Sequence, residues 1–253
     1  MLQKMLYRLC LLYVLIANVT ASQKWCQDQV QSILTDKKWG EVNIDEVHRI
    51  QADMNNYLTN NGISKIEGHS GNGDTIIERM VYYSISSLTP CFRRICEIGF
   101  NAGHSTIEWL VANPGADIVT FDLFTHAYSN LSESFIRSHP SLNATPRFEL
   151  YKGDSTIIVP EYANSHKGVL CDLLSIDGGH SFELASLDIK NMKQLANPEF
   201  HVVFIDDTNC GFPHCVDRAM NDMIEKSVLA RVENGSFTFG YRNTRGLTVL
   251  KYL

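Results

Sequence analysis

"ICEIGFNAGHST", Ile95–Thr106, is where the reading of the fold begins. A short apolar run carrying one acid meets a turn bounded by Gly99 and Gly103, and a Ser/Thr pair follows. That order predicts a strand that stops abruptly and passes into a helix over a ligand. The dinucleotide fingerprint needs a second glycine two residues after the first, so that backbone can approach a pyrophosphate. Asn101 stands there, the spacing is E-x-G-x-x-x-G, and a pyrophosphate cofactor is disfavoured.

Outward from this turn, apolar runs near Arg94–Ile98, Asp117–Phe121, Arg147–Tyr151, Asp172–Ile176 and Val202–Ile205 alternate with helical patterns starting near Ser105, Thr125, Ser181 and Val216. Such alternation predicts an α/β fold with a doubly wound, mostly parallel sheet. The tail "GSFTFGYRNTRGLTVLKYL" breaks the pattern, because two β-rich runs are joined through "RNTRG" without a helix. It predicts an antiparallel hairpin closing a seven-stranded sheet. On the other side, "WCQDQVQSIL" and "NIDEVHRIQADMNNYL" space Val30, Ile33, Leu34, Val47, Ile50, Met54 and Leu58 at helical intervals. A polar Gly/Asn-rich stretch follows, so residues 22–73 read as a helical extension and loop ahead of the principal domain, 74–253. Asp74 is placed to cap a helix over "TIIERMVYYSISSL" that Thr89-Pro90 ends.

The chain has 253 residues, 44% hydrophobic and 20% charged, enough for one principal core with a small addition. A net charge of -6 and a pI near 5.8, without a block of like charge, offer no attraction to nucleic acid. Lys4 and Arg8 precede the apolar run "LCLLYVLIANV", and Val19 and Ala21 are small residues placed for cleavage, so residues 1–21 read as a secretory signal peptide. The run is shorter than the ~20 apolar residues of a bilayer span, and no stable membrane span is expected after cleavage. Export agrees with three N-x-S/T sequons beyond the signal segment, at Asn130, Asn143 and Asn234, and with the six cysteines left once Cys10 is removed. The expected location is the secretory pathway or outside the cell, as a glycoprotein with disulfides. No C-x-x-C pair points to cysteine-bound metal.

The E-x-G-x-x-x-G turn resembles the first motif of the class I methyltransferases that use S-adenosylmethionine. The resemblance extends along the chain from about Asp74 to the C-terminus: Asp122 ends "IVTFD", Asp154 lies in "YKGDS", and "LLSIDGGH" and "VVFIDD" end the next two strands. It implies that Gly99 and Gly103 hold the amino-acid end of the cofactor, that Asp122 accepts hydrogen bonds from the ribose hydroxyls, and that Asp154 lies near the adenine. Chemically, Glu97 suits the cofactor's ammonium, and the free N–H groups at the helix beginning near Ser105 suit its carboxylate. Each acid alone reads equally well as a helix cap or a solvated strand end.

Asp177, Asp206 and Asp207 end the strands expected beside the first, so three carboxylates would share one edge of the pocket. A hard divalent cation would relieve their repulsion: magnesium, with manganese and calcium as alternatives. The arrangement resembles the metal-dependent O-methyltransferases of the catechol and caffeoyl-coenzyme A type, with Asp206-Asp207 in place of an Asp-Asn pair. The second acid and "DGGH" look closer to the antibiotic-tailoring group whose motif reads D-G-x-H. Where the catechol type carries a lysine, three residues past the first metal aspartate, this chain has His180. It is a candidate general base, the alternatives being a cap on the helix near Ser181 or a further metal ligand.

Cys210 and Cys215 in "NCGFPHC" are candidates for a small disulfide loop, and Cys91 with Cys171 is the other pair to try, both lying near the amino ends of neighbouring strands. Cys96, inside a strand, reads as either a disulfide partner or a buried small hydrophobe. His214 reads as a surface loop residue, and Tyr82 and Tyr83 as packing residues. Taken together, these residues point to methyl transfer from S-adenosylmethionine to a hydroxyl oxygen of a small-molecule or glycan acceptor, N- or carboxyl-methylation being the alternatives, with the N-terminal helices covering the substrate. The rival is a secreted binding protein that keeps the fold without the chemistry.

Overall fold

The computed structural model describes residues 22–67, 76–209, 216–239 and 245–253. The signal segment, Asp74, most of the Gly/Asn-rich loop, His214, the Cys210–Cys215 loop and most of the hairpin link lie outside these residues. Helix α1 covers residues 22–36, followed by a short 3-10 turn, α2 (Asp45–Asn60) and α3 (Ile76–Ser86). Then come β1 (Arg94–Ile98), α4 (His104–Ala112), β2 (Asp117–Asp122), α5 (Ser129–Ser138), α6 (Ala144–Arg147), β3 (Phe148–Lys152), α7 (Ser155–Ser165), β4 (Leu173–Ile176), α8 (Phe182–Lys193), β5 (Val202–Ile205), α9 (Asp217–Glu225), β6 (Leu229–Phe239) and β7 (Arg245–Tyr252).

The seven strands form one sheet in the order β3-β2-β1-β4-β5-β7-β6. β1 to β5 pair in parallel, β7 runs antiparallel to β5, and β6 closes the edge against β7. The chain order reverses between β1 and β4, which puts the ligand crevice of a doubly wound sheet beyond their carboxyl ends. Strand alternation divides the interior in two. Ile95, Leu173, Val202 and Phe204 face a core with α1 to α5, whereas Cys96, Leu174, Val203 and Ile205 face one with α7, α8 and α9.

Three features depart from the sequence reading. Cys91 bonds to Cys26 of α1, and Cys171 to Cys96 of β1, so the expected Cys91–Cys171 pair does not form and Cys96 is no free hydrophobe. Cys96 faces the α7–α9 side while Cys91 faces the other, so a shared partner set by strand neighbourhood alone is sorted by the pleat. The helix expected from Thr125 begins at Ser129, and an additional helix, α7, follows Asp154. β-branched Thr156 to Val159 and Pro160 read against a helix, but the Asp154 cap and burial of Val159 and Tyr162 override propensity. The N-terminal helices α1 and α2 share the sheet's own core through Val30, Leu34, Ile50, Met54 and Leu58.

Candidate active site

The parallel ladders end at nearly the same level, and each last bond sets up the turn beyond it. Gly99 N donates to Phe121 O at 2.9 Å, Gly153 N to Asp122 O at 2.9 Å, Asp177 N to Ile98 O at 3.0 Å and Asp206 N to Ile176 O at 3.1 Å. Asp122, Asp154, Asp177, Asp206 and Asp207 therefore stand along one crest, around a cavity of about 530 Å³.

The Gly99–Gly103 turn needs its glycines. Gly99 has φ +102°, and a Cβ there would fall 2.0 Å from the backbone oxygen of Asp177. Gly103 has φ +83° and precedes α4 without any side-chain cap, which leaves the first N–H groups of that helix for a ligand. Asn101 takes the left-handed conformation at φ 49°, and its N–H donates to Asp122 Oδ2 at 2.9 Å. Phe124 N donates to the other Asp122 oxygen at 2.6 Å, so Asp122 is aimed from both sides. The Tyr128 hydroxyl donates to Asn101 Oδ1 at 2.6 Å and accepts from Glu67 N at 3.2 Å.

Glu97 borders the cavity but is already heavily engaged. It accepts hydrogen bonds from Ser105 Oγ, from Thr106 Oγ1 at 2.7 Å, from Trp109 Nε1 at 3.1 Å and from Thr120 Oγ1 at 3.2 Å. Burial pushes its carboxyl up while these four donors hold it down. Its principal structural task is to lock the start of α4 onto β1 and β2. Asp154 caps α7 by accepting from Thr156 N at 2.9 Å, and it stays exposed at the cavity edge.

Asp177, His180 and Asp207 come together, with one donor atom from each lying within 4.8 Å of the other two. His180 Nε2 is 3.1 Å from Asp207 Oδ2 and 4.0 Å from Asp177 Oδ1. Hydrogen bonding to Asp177 and Asp207 pushes its pKa up to about 10. Asp206 stands apart from this trio: it is buried and accepts from Asp207 N at 2.8 Å, which helps hold Asp207 at φ 51°. Burial, then the charges of Asp177 and Asp207, keeps the Asp206 carboxyl well above the usual range. The compact donor set is thus Asp177, His180 and Asp207 rather than the three aspartates expected together. Two carboxylates and an imidazole form a donor set that fits a divalent cation. His180 is not the cap of α8, since Ser181 Oγ accepts from Leu184 N at 3.1 Å.

Three residues, Asp188, Glu78 and Arg245, enter from positions that the sequence reading passed over, and Tyr82 from one read as packing alone. Asp188 of α8 accepts from Ser155 Oγ at 2.7 Å and meets the Gly178-Gly179 turn, where a Cβ on Gly178 would lie 2.5 Å from its Oδ2. Glu78 and Tyr82 of α3 line the cavity and are 5% and 3% exposed. Arg245 opens β7 and lines the same cavity. The only signal in the sequence was Glu78 sitting on the apolar face of α3, four residues before Tyr82; nothing local announces which end of the sheet that helix meets. Tyr82 does pack, 4.8 Å from the Trp109 ring and 4.9 Å from Phe204, but it also borders the cavity.

Residues 96–208 match a family model described as a methyltransferase domain. No curated protein matches the chain by sequence. Among solved structures it is similar to the O-methyltransferase TomG from Streptomyces achromogenes, involved in tomaymycin synthesis and determined with S-adenosylmethionine. The identity is 16%, the match covers 80% of this chain and 89% of that one, and the TM-score is 0.60. An O-methyltransferase from Bacillus cereus in complex with S-adenosylhomocysteine matches at 15% identity over 79% and 90% of the two chains, TM-score 0.59. CalS11, a TDP-rhamnose 3'-O-methyltransferase of calicheamicin biosynthesis, matches at 16% over 89% and 93%, TM-score 0.50. The chain shares its fold with these.

Proposed function

We propose, on the premise that this chain is a class I S-adenosylmethionine-dependent methyltransferase by its domain and fold, that it methylates a hydroxyl oxygen of a small molecule or glycan with the help of a divalent cation. The observation that carries the metal-assisted reading is the convergence of Asp177, His180 and Asp207 beside the Gly99 turn. S-adenosylmethionine, when bound, supplies an electrophilic methyl group on its sulfonium. Asp122 has lone pairs left for the ribose diol, and the uncapped α4 N-terminus receives the cofactor carboxylate. Glu97, saturated by four donors, supports that terminus and leaves the ammonium to other acceptors at the cavity wall. Asp177 and Asp207 would hold the cation, whose chemistry is to lower the pKa of a neighbouring hydroxyl. His180 has two roles in prospect, third ligand or acceptor of the hydroxyl proton, and its 3.1 Å approach to Asp207 favours the ligand.

The same reading puts the protein in the secretory pathway. It is supported by two buried disulfides and by three exposed sequon asparagines, Asn130, Asn143 and Asn234. Among the described residues no helix is long and apolar enough to cross a membrane.

The test is calorimetric titration of secreted protein with S-adenosylmethionine, with and without magnesium, beside methyl transfer to a panel of hydroxyl acceptors. Asp177→Asn and chelation should abolish transfer and leave cofactor affinity nearly unchanged. His180→Ala should weaken metal binding if the side chain is a ligand; if it is the base, metal affinity persists and turnover falls roughly 10²–10⁴-fold. Chelator-insensitive transfer would end the metal reading. Tight cofactor binding with no transfer to any acceptor would favour the rival, a binding protein on this fold.

A further inference from the structure

The cavity is acidic beyond what its crest requires. Nine carboxylate side chains line it among the described residues, against a single guanidinium, that of Arg245. Most have assigned work: Glu97 and Asp188 hold backbone and hydroxyl groups, Asp122 and Asp154 steady turns, and Asp177 and Asp207 face His180. Glu78 has none. It is 5% exposed, borders the cavity from the first turn of α3, and accepts no hydrogen bond from any described residue. Its electrostatic neighbours are Asp206, Asp177 and Glu108, opposed by Arg245 and by Arg79 of the same helix, and burial together with these acids keeps its carboxyl well above the ordinary range. Tyr82, one turn further along α3, lines the same wall.

The Glu78 carboxyl opens onto the cavity and no described residue donates to it, so a bound molecule is placed to supply the donors. Another carboxylate, a phosphate or a sulfate would deepen the repulsion. A neutral hydroxyl would supply a donor but no charge. An ammonium supplies three donors together with the missing positive charge, and charge-assisted hydrogen bonds are about twice as strong as neutral ones.

We infer that the α3 wall selects an acceptor carrying a cationic amine close to the hydroxyl that is methylated, with Glu78 receiving the ammonium. This rests on the methyl-transfer reading above and narrows its substrate class from any hydroxyl to amino alcohols, amino sugars and phenolic amines. It disfavours acceptors bearing a diphosphate or a carboxylate near the reacting hydroxyl.

Binding is measured by calorimetry on the mature secreted protein loaded with S-adenosylhomocysteine and magnesium, using matched probes: tyramine against 4-ethylphenol, and D-glucosamine against D-glucose. The amine of at least one pair should bind about ten-fold or more tightly than its neutral partner, the ratio that one charge-assisted contact provides. Glu78→Gln, checked for folding by its S-adenosylhomocysteine affinity, should bring that ratio towards one, and Glu78→Asp should restore part of it. Equal affinity within both pairs, absence of binding included, or an amine preference that survives Glu78→Gln would overturn the inference. The wild-type comparison decides even if the variant fails to fold. Failure of S-adenosylhomocysteine itself to bind would overturn the methyl-transfer reading along with it, and is read separately.

Discussion

Gly99→Ala tests how the turn builds both halves of the site at once. The new Cβ would lie 2.0 Å from the backbone oxygen of Asp177, whereas real Cβ contacts are essentially never below 3.0 Å, so β1 and the turn after β4 must part by about 1 Å. Overpacking of this kind costs about 1–3 kcal/mol. Holding a residue with a side chain at φ +102° adds about 1–2 kcal/mol, so the expected loss is about 2–5 kcal/mol. Gly168→Ala is the internal control: its φ is +84° but a Cβ meets nothing within 4 Å, so only the backbone contribution of about 1–2 kcal/mol remains. Urea unfolding of the two variants, read at equal m-value, isolates the steric part as their difference. Because the displaced carbonyl belongs to Asp177, Gly99→Ala should also weaken both S-adenosylmethionine and magnesium binding in calorimetry, and Gly168→Ala should weaken neither. Equal losses of stability in the two variants, with ligand affinities intact in Gly99→Ala, would refute the argument that this close approach assembles the site.

Other expectations are open to single experiments. Asp122→Ala should weaken S-adenosylmethionine binding by about 1.5–3 kcal/mol, since it removes charge-assisted hydrogen bonds and also the acceptor of Asn101 N and Phe124 N; unchanged affinity would take Asp122 away from the ribose. Without a cation, the folded protein holds a proton on His180 up to about pH 10, while the unfolded chain loses it near 6.5. The stabilisation from this group is complete below the lower value and disappears as pH rises through the upper one. Urea midpoints of chelated protein should therefore fall across that window, and His180→Gln should flatten the trend; an unaltered slope would mean that the imidazole is not held by the two aspartates. Removing the Cys26–Cys91 bond, which spans a sequence separation of 65, should cost about 4 kcal/mol from loop closure, and a loss under about 1 kcal/mol in the Cys26→Ala/Cys91→Ala protein would mean that α1 is held by packing alone.

The strands, the glycine turn and the acids at the strand ends were legible in the chain because each is a local pattern. Buried parallel strands demand short apolar runs, the abrupt strand-to-helix turn demands Gly99 and Gly103, and a polar residue directly after such a run lies at the crest whatever surrounds it. The resemblance to the methyltransferases rested on those patterns, which is why it survived at the level of fold. What depends on two distant segments meeting was not legible. Cys91 lies in the turn before β1, in the same core layer as α1, and meets Cys26, while Cys96 and Cys171 face the opposite layer and meet each other. Asp206 and Asp207 are adjacent in sequence, yet the left-handed backbone at Asp207 sends one carboxylate to His180 and leaves the other buried beneath. Glu78 shows the limit most plainly: on α3 it is one acid in an amphipathic helix, and only the packing of α3 against the sheet brings it to the cavity wall beside Arg245, a residue 167 positions away in the chain. Side-chain burial and charge in a site are sums over such meetings, so the chain states which groups are present, and the tertiary contacts decide which of them act together.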